Sequence, residues 1–119
     1  SYRGILQIII CQLLGGRDHL AQASEVAERL LPGYRSAAGV REQVGLLVLM
    51  AKTFWLRKLE APALARLREA LALGYPLGLR RVFTGHGEIM AAMLRKLANE
   101  PKKVEAVTAL LKEIEHEQR

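Results

Sequence analysis

Ala70-Leu-Ala-Leu-Gly-Tyr-Pro76-Leu-Gly78-Leu-Arg-Arg81-Val-Phe83, followed by Gly87 and Met90-Ala-Ala-Met-Leu94, is the stretch that decides the fold. Ala and Leu are strong helix formers, so the segment opens as a helix. Gly74-Tyr75-Pro76 is expected to break it, because proline cannot donate to the helical ladder. A short helix is expected over Leu77 to Phe83, and a second Ala-, Leu- and Met-rich helix after Gly87. Two helices joined by a sharp corner predict helix packed on helix. The structural residues of that corner are read as Pro76, Gly78, Arg81, Phe83 and Gly87. Phe83 is expected to be buried against the helix carrying Met90 and Leu94. Arg81 is expected to cap a helix end or to pair with an acidic side chain.

Outward from the corner, apolar spacing is helical throughout and no alternating, strand-type run occurs. A first helix is predicted over Tyr2 to Leu14, stopped at Gly15-Gly16. The second is expected to start at Asp18 as N-cap, to carry Leu20, Ala23, Ala27 and Leu30, and to end at Pro32-Gly33. After a loop containing Tyr34 and Ser36, the third carries Val40, Val44, Leu47, Val48, Ala51 and Trp55 and is expected to be the longest. The fourth starts near Pro62, where a missing N–H costs nothing, and carries Leu64, Leu67 and Leu71. Met90, Met93, Leu94 and Leu97 mark a later helix. A last one is expected from Pro101, with Val104, Val107, Leu111 and Ile114, fraying from Glu115 to Arg119.

Composition agrees with this class. Of 119 residues, half are hydrophobic but only 5% aromatic, which suits closely packed helices better than a β-sandwich. The chain is read as one domain over residues 1–119, long enough for a modest core. Its 18 Lys and Arg against 12 Asp and Glu give a charge of +6. A basic balance can serve nucleic acid or an acidic partner, but these cations are scattered, with pairs only at Arg80-Arg81, Arg95-Lys96 and Lys102-Lys103. A solvated surface accounts for them. The lone Cys11 in an apolar run fits a buried thiol in a reducing compartment, and a cytoplasmic location is expected. The run Ile8 to Leu14, interrupted by Gln12, is far shorter than a membrane span.

Two helices share a pattern. Ala23-x-x-x-Ala27-x-x-Leu30 and Ala63-x-x-x-Leu67-x-x-Ala70 place small or apolar residues at offsets zero, four and seven. The pattern resembles the second helix of a tetratricopeptide repeat, where a small residue admits close helix contact. The copies lie 40 residues apart, against 34 in the standard repeat, and the Tyr34–Gly39 loop is expected to absorb the excess. The first and third helices are apolar over most of their circumference, which requires burial on more than one side. A stack of antiparallel hairpins supplies that; a closed four-helix bundle asks for only one stripe per helix. The fold expected is therefore all-α, a tetratricopeptide-like right-handed solenoid.

The corner itself resembles a known family. MalT-like transcription regulators, large ATP-binding LuxR-family proteins of bacteria, close their helical-repeat domain with an Ala-Leu-rich helix. A Pro-x-Gly-aromatic-x-Arg-x-Phe turn follows, then a Gly and a Met-Ala-Ala-Leu-Leu helix. The register holds from Ala70 to Leu97, with Leu79 where the family usually has Tyr and Gly85-His86 where it usually has an acidic pair. The resemblance implies a domain cut from a longer multidomain protein, lying between an ATPase module and a DNA reader. It also implies inducer binding and a switch to an oligomeric, promoter-binding form, with DNA engaged only through the separate reader. The alternative is a tetratricopeptide-type scaffold that binds a partner protein; a third class, a basic nucleic-acid-binding domain, would show steep salt dependence.

Catalytic chemistry has no foothold in the sequence. There is no Gly-x-x-x-x-Gly-Lys-Ser/Thr loop, and no Thr-x-Arg-Glu or Ala-x-Gly-x-Ser of the LuxR reader. His19, His86 and His116 lack metal-ligand spacing, and Ser24, Ser36, Thr53, Thr84 and Thr108 lie in no nucleophile context. The expectation is no enzyme, no cofactor, no metal and no membrane. If a small inducer binds, Trp55, Arg57 and Tyr75 are the candidate residues on a concave face, since rings stack on effectors and guanidinium grips carboxylate or phosphate. Each has a plainer alternative. Trp55 is in phase with Val44, Val48 and Ala51 as a core residue, Tyr75 can close a helix end, and Arg57 can complement a helix dipole.

Overall fold

The computed structural model describes residues 2–101 and 105–117. They form seven α-helices and no strand: α1 (Tyr2–Leu14), α2 (Arg17–Ala37), α3 (Val40–Leu56), α4 (Glu60–Gly74), α5 (Arg81–Thr84), α6 (Gly87–Ala98) and α7 (Glu105–Glu117). A 3₁₀ turn, Tyr75–Leu77, prolongs α4. The all-helical expectation holds among the described residues. Pro101, the expected start of the last helix, is a bend, and Val104 lies outside the described residues.

Apart from the short α5, the helices pack mainly on their neighbours in sequence, most extensively α3 on α4, α1 on α2 and α6 on α7. α3 lies at the centre and touches α1, α2, α4, α5 and α6. Its sequence explains the position. Val44, Leu46, Leu47, Val48, Leu49, Met50, Ala51 and Thr53 are all buried, which covers every side of a helix with 3.6 residues per turn. The radius of gyration is 13.7 Å, close to the roughly 13.5 Å expected of a folded chain this long.

Small residues set the helix spacings. Ala23, Ala27, Ala63 and Ala70 are fully buried, as is Leu67, while Leu30 is only half-buried. Gly4 of α1 faces Leu30: a Cβ there would come within 2.7 Å of Leu30 Cδ1. α1 is tied to α3 by polar contacts as well. Gln12 Nε2 donates to the Leu49 carbonyl at 3.0 Å and to Thr53 Oγ1 at 2.7 Å, and the Thr53 hydroxyl donates to the same carbonyl at 2.9 Å. The residue that interrupts the apolar run is thus the one that anchors its helix.

Several boundaries differ from the sequence-based expectation. α2 runs through Pro32-Gly33 to Ala37 and, at 21 residues, is longer than the 17-residue α3. Proline leaves one carbonyl of the preceding turn without its helical partner, but tertiary contacts hold the extra turn. Tyr34 packs against the core, and Arg35 forms a two-pronged pair with Glu69 of α4, at 2.8 Å for Nη2 to either oxygen. No Tyr34–Gly39 loop therefore exists to absorb a longer repeat. Gly16, not Asp18, is the N-cap of α2, with Asp18 in the first turn. α4 begins at Glu60, which places Pro62 within the first turn. α7 stays helical to Glu117, past the expected fraying point.

Candidate functional site

The corner after α4 is built by one glycine. The Leu79 N–H bonds the Gly74 carbonyl and the Gly78 N–H bonds the Tyr75 carbonyl, the paired pattern of a Schellman cap. Gly78 supplies its left-handed residue, at φ 77. The α-helix therefore ends at Gly74, as Gly74-Tyr75-Pro76 led one to expect, and a 3₁₀ turn carries the chain on to the left-handed Gly78. Pro76 fits within the 3₁₀ turn, and Leu77 to Arg80 do not form the expected short helix; α5 covers only Arg81–Thr84. The α3–α4 turn has the same hydrogen-bond pattern, Leu59 to Phe54 and Lys58 to Trp55, but with Lys58 at φ 66.

Phe83 is fully buried, in one apolar cluster with Met90 and Leu94. α5 touches α3, α6 and α7, so this single ring plugs the junction of three helices. Gly87 opens α6 at φ 57. Arg81 opens α5, its carbonyl accepting from the Gly85 N–H at 2.9 Å, but its side chain does not form the expected acidic pair. It is exposed and has no ion-pair partner among the described residues. The neighbouring Arg80 forms that pair instead. Its Nη1 donates to Glu113 Oε1 of α7 at 2.6 Å, and its guanidinium sits 5.7 Å from the Tyr75 ring centre. The hydrogen bond and charge of Glu113 push the Arg80 pKa upward. Side-chain spacing along the sequence could not choose between two adjacent arginines.

The three residues considered for an inducer do not converge. Trp55 is half-buried and packed on the core. Arg57 caps α3, donates to Ser24 Oγ at 3.0 Å and lines a cleft with Gly16, Asp18 and Leu20. Tyr75 lies past the far end of α4 and lines another groove, of about 430 Å³, with Leu71, Pro76 and Leu97. The 15 residues of α4 separate the two ends by about 22 Å. One small inducer cannot touch all three.

Among the described residues no three His, Cys, Asp or Glu side chains gather into a metal-binding group. Cys11 is buried. His19 Nδ1 lies 2.8 Å from the Gly15 carbonyl and closes the α1–α2 turn. His86 is half-buried beside Lys52; burial first, then that positive charge, lower its pKa. No described helix is long and apolar enough to cross a membrane.

The largest uncovered feature is on α1. Ile8 and Cys11 point inward, while Tyr2, Leu6, Ile9, Ile10, Leu13 and Leu14 are exposed, Tyr2 by 84% and Leu13 by 81%. Spacings of four, three, one, three and one place these six on a single helical face. α3 meets the expectation of burial on several sides; α1 is covered on only one.

Compared with known proteins, the chain matches no family model, no curated protein and no solved structure.

Proposed function

We propose that this chain is a sensory and assembly domain of helical-repeat type, from a MalT-like LuxR-family regulator, whose α1 face is an assembly surface. The observation that carries the assembly reading is the largely apolar exposed face of α1, interrupted by Arg3 near its edge and opposite the side that packs on α2 and α3. Monomeric proteins seldom leave so large a contiguous apolar patch in water. The hairpin order supports the solenoid. α1/α2, α3/α4 and α6/α7 pair in sequence, and α1, α3 and α6 touch in succession, as inner helices of a stack do. A further hairpin or a second copy laid on α1 would repeat the contact that α1 makes with α3. The regulator assignment rests on the Ala70–Leu97 register alone; the reading includes no catalytic role.

Sedimentation velocity over a hundredfold concentration range tests the assembly reading. The wild-type chain is expected to associate reversibly, and Leu6→Glu/Leu13→Glu to sediment as a folded monomer throughout. A wild-type chain that stays monomeric at every concentration would refute it. Saturable binding of a foreign amphipathic helix to α1, without self-association, would instead favour a scaffold for a partner protein.

A further inference from the structure

A second feature, independent of α1 and of the residues Trp55 and Arg57, lies at the other side of the corner. A groove of about 270 Å³ is lined by Arg41, Gly78, Leu79, Arg80, Arg81 and Val82. The fold brings these together because Gly74 lets α4 close onto the start of α3; a Cβ at Gly74 would come within 3.2 Å of both Val44 methyl groups. Arg41, on the first turn of α3, thereby meets the segment that carries Arg80 and Arg81.

The charge in this groove is unbalanced. Three arginines line it, and their side chains are positive at any physiological pH. Among the described residues the only carboxylate paired with any of them is Glu113, on Arg80. The net is three minus one, or +2. Arg41 and Arg81 have no ion-pair partner among the described residues. Glu42, the acidic neighbour of Arg41, is turned away: its Oε1 lies over Gly39, 2.6 Å from where a Cβ would be, and it lines a different groove with Arg29. Like charges gathered beside the apolar Leu79 and Val82 repel one another, and an anion between them removes that repulsion.

We propose that this groove is a binding site for a phosphate dianion, free or carried by a small metabolite. Arg41 and Arg81 grip it and Arg80 is held in place behind them by Glu113 and Tyr75. Three points select the ligand. Its charge of about −2 matches the groove. Its tetrahedral oxygens accept forked guanidinium donors. The volume is slightly below the roughly 300–1,000 Å³ of pockets for drug-sized ligands, so the anionic group, and not a large body, is what enters.

Amide ¹H–¹⁵N correlation spectra of the full chain, titrated with inorganic phosphate at constant ionic strength, test the site. Saturable shifts confined to residues 40–42 and 78–82 are expected. Arg41→Gln/Arg81→Gln is expected to weaken binding at least ~10-fold, the scale of one lost charge-assisted hydrogen bond. Arg29→Gln/Arg57→Gln removes the same charge elsewhere and is expected to leave binding unchanged; circular dichroism checks that both variants fold. Tighter binding of glycerol 3-phosphate than of phosphate identifies a metabolite, and equal or weaker binding identifies free phosphate. Shifts that never saturate and spread over all basic residues would overturn the proposal. Equal weakening in the two double variants would do so as well.

Discussion

Replacing Phe83 by Ala removes the largest fully buried side chain of the structure. α5 is only four residues long, so it cannot be stable by itself. The ring is what fastens it to α3, α6 and α7. Lost transfer free energy is about 1.5–3 kcal/mol for a fully buried side chain of this size. A residual cavity of roughly 60–80 Å³ adds about 1.5–2 kcal/mol at the measured cost per unit volume. The total, about 3–5 kcal/mol, agrees with other core Phe truncations. For a chain of this length that lowers the melting midpoint by roughly 10–25 °C. Urea unfolding followed by far-ultraviolet circular dichroism measures it, with an unchanged slope showing that the unfolded state is unaltered. A loss below about 1 kcal/mol would refute the reasoning, since it would mean that the corner holds without its plug.

Three further outcomes are expected. Gly78→Ala should destabilise by about 1–2 kcal/mol and Lys58→Gly should stabilise by up to about 1 kcal/mol, because both positions are left-handed and only glycine is at ease there; the same urea titration checks the opposite signs. Gln12→Ala removes the polar tie between α1 and α3 and should cost about 1–2 kcal/mol, with amide exchange in α1 accelerating more than in α6. His86 holds a pKa below its ordinary 6.5 in the folded state, so the unfolded chain takes up the proton first. Stability is then complete above that value and falls as pH drops through the window beneath it. His86→Gln is expected to flatten this fall, seen as parallel midpoints for the variant at pH 7 and pH 5.

The helices were legible because their inward residues are apolar at helical spacing and several of their ends are marked by glycine. The errors have local causes. Pro32-Gly33 reads as a stop, but Arg35 and Tyr34 find partners on α4 and in the core, and such contacts lie beyond any window of sequence. Lys58 carries a turn that normally asks for glycine, and nothing in its neighbourhood announces it. The corner was legible as a corner, since Gly78 is a turn former and Phe83 a large apolar residue beside the charged Arg80-Arg81 pair. Which arginine it uses was not. Arg80 finds Glu113 across 33 residues, and Arg41 reaches the groove only because α4 folds back on α3. The surplus apolar residues of α1 were visible, but the burial on several sides expected from them is not met, because one stripe of a 13-residue helix suffices to pack it on its hairpin partner.

The central claim is that the outward face of α1 is an assembly surface. A sample mixing ¹³C-methyl-labelled and unlabelled chains, read by isotope-filtered nuclear Overhauser spectroscopy at high concentration, tests it most directly. Cross-peaks between copies are predicted for the methyl groups of Leu6, Ile9, Ile10 and Leu13, and none for Leu67 or Ile114 in the core. Intermolecular contacts on another surface, or none at all, would contradict the claim.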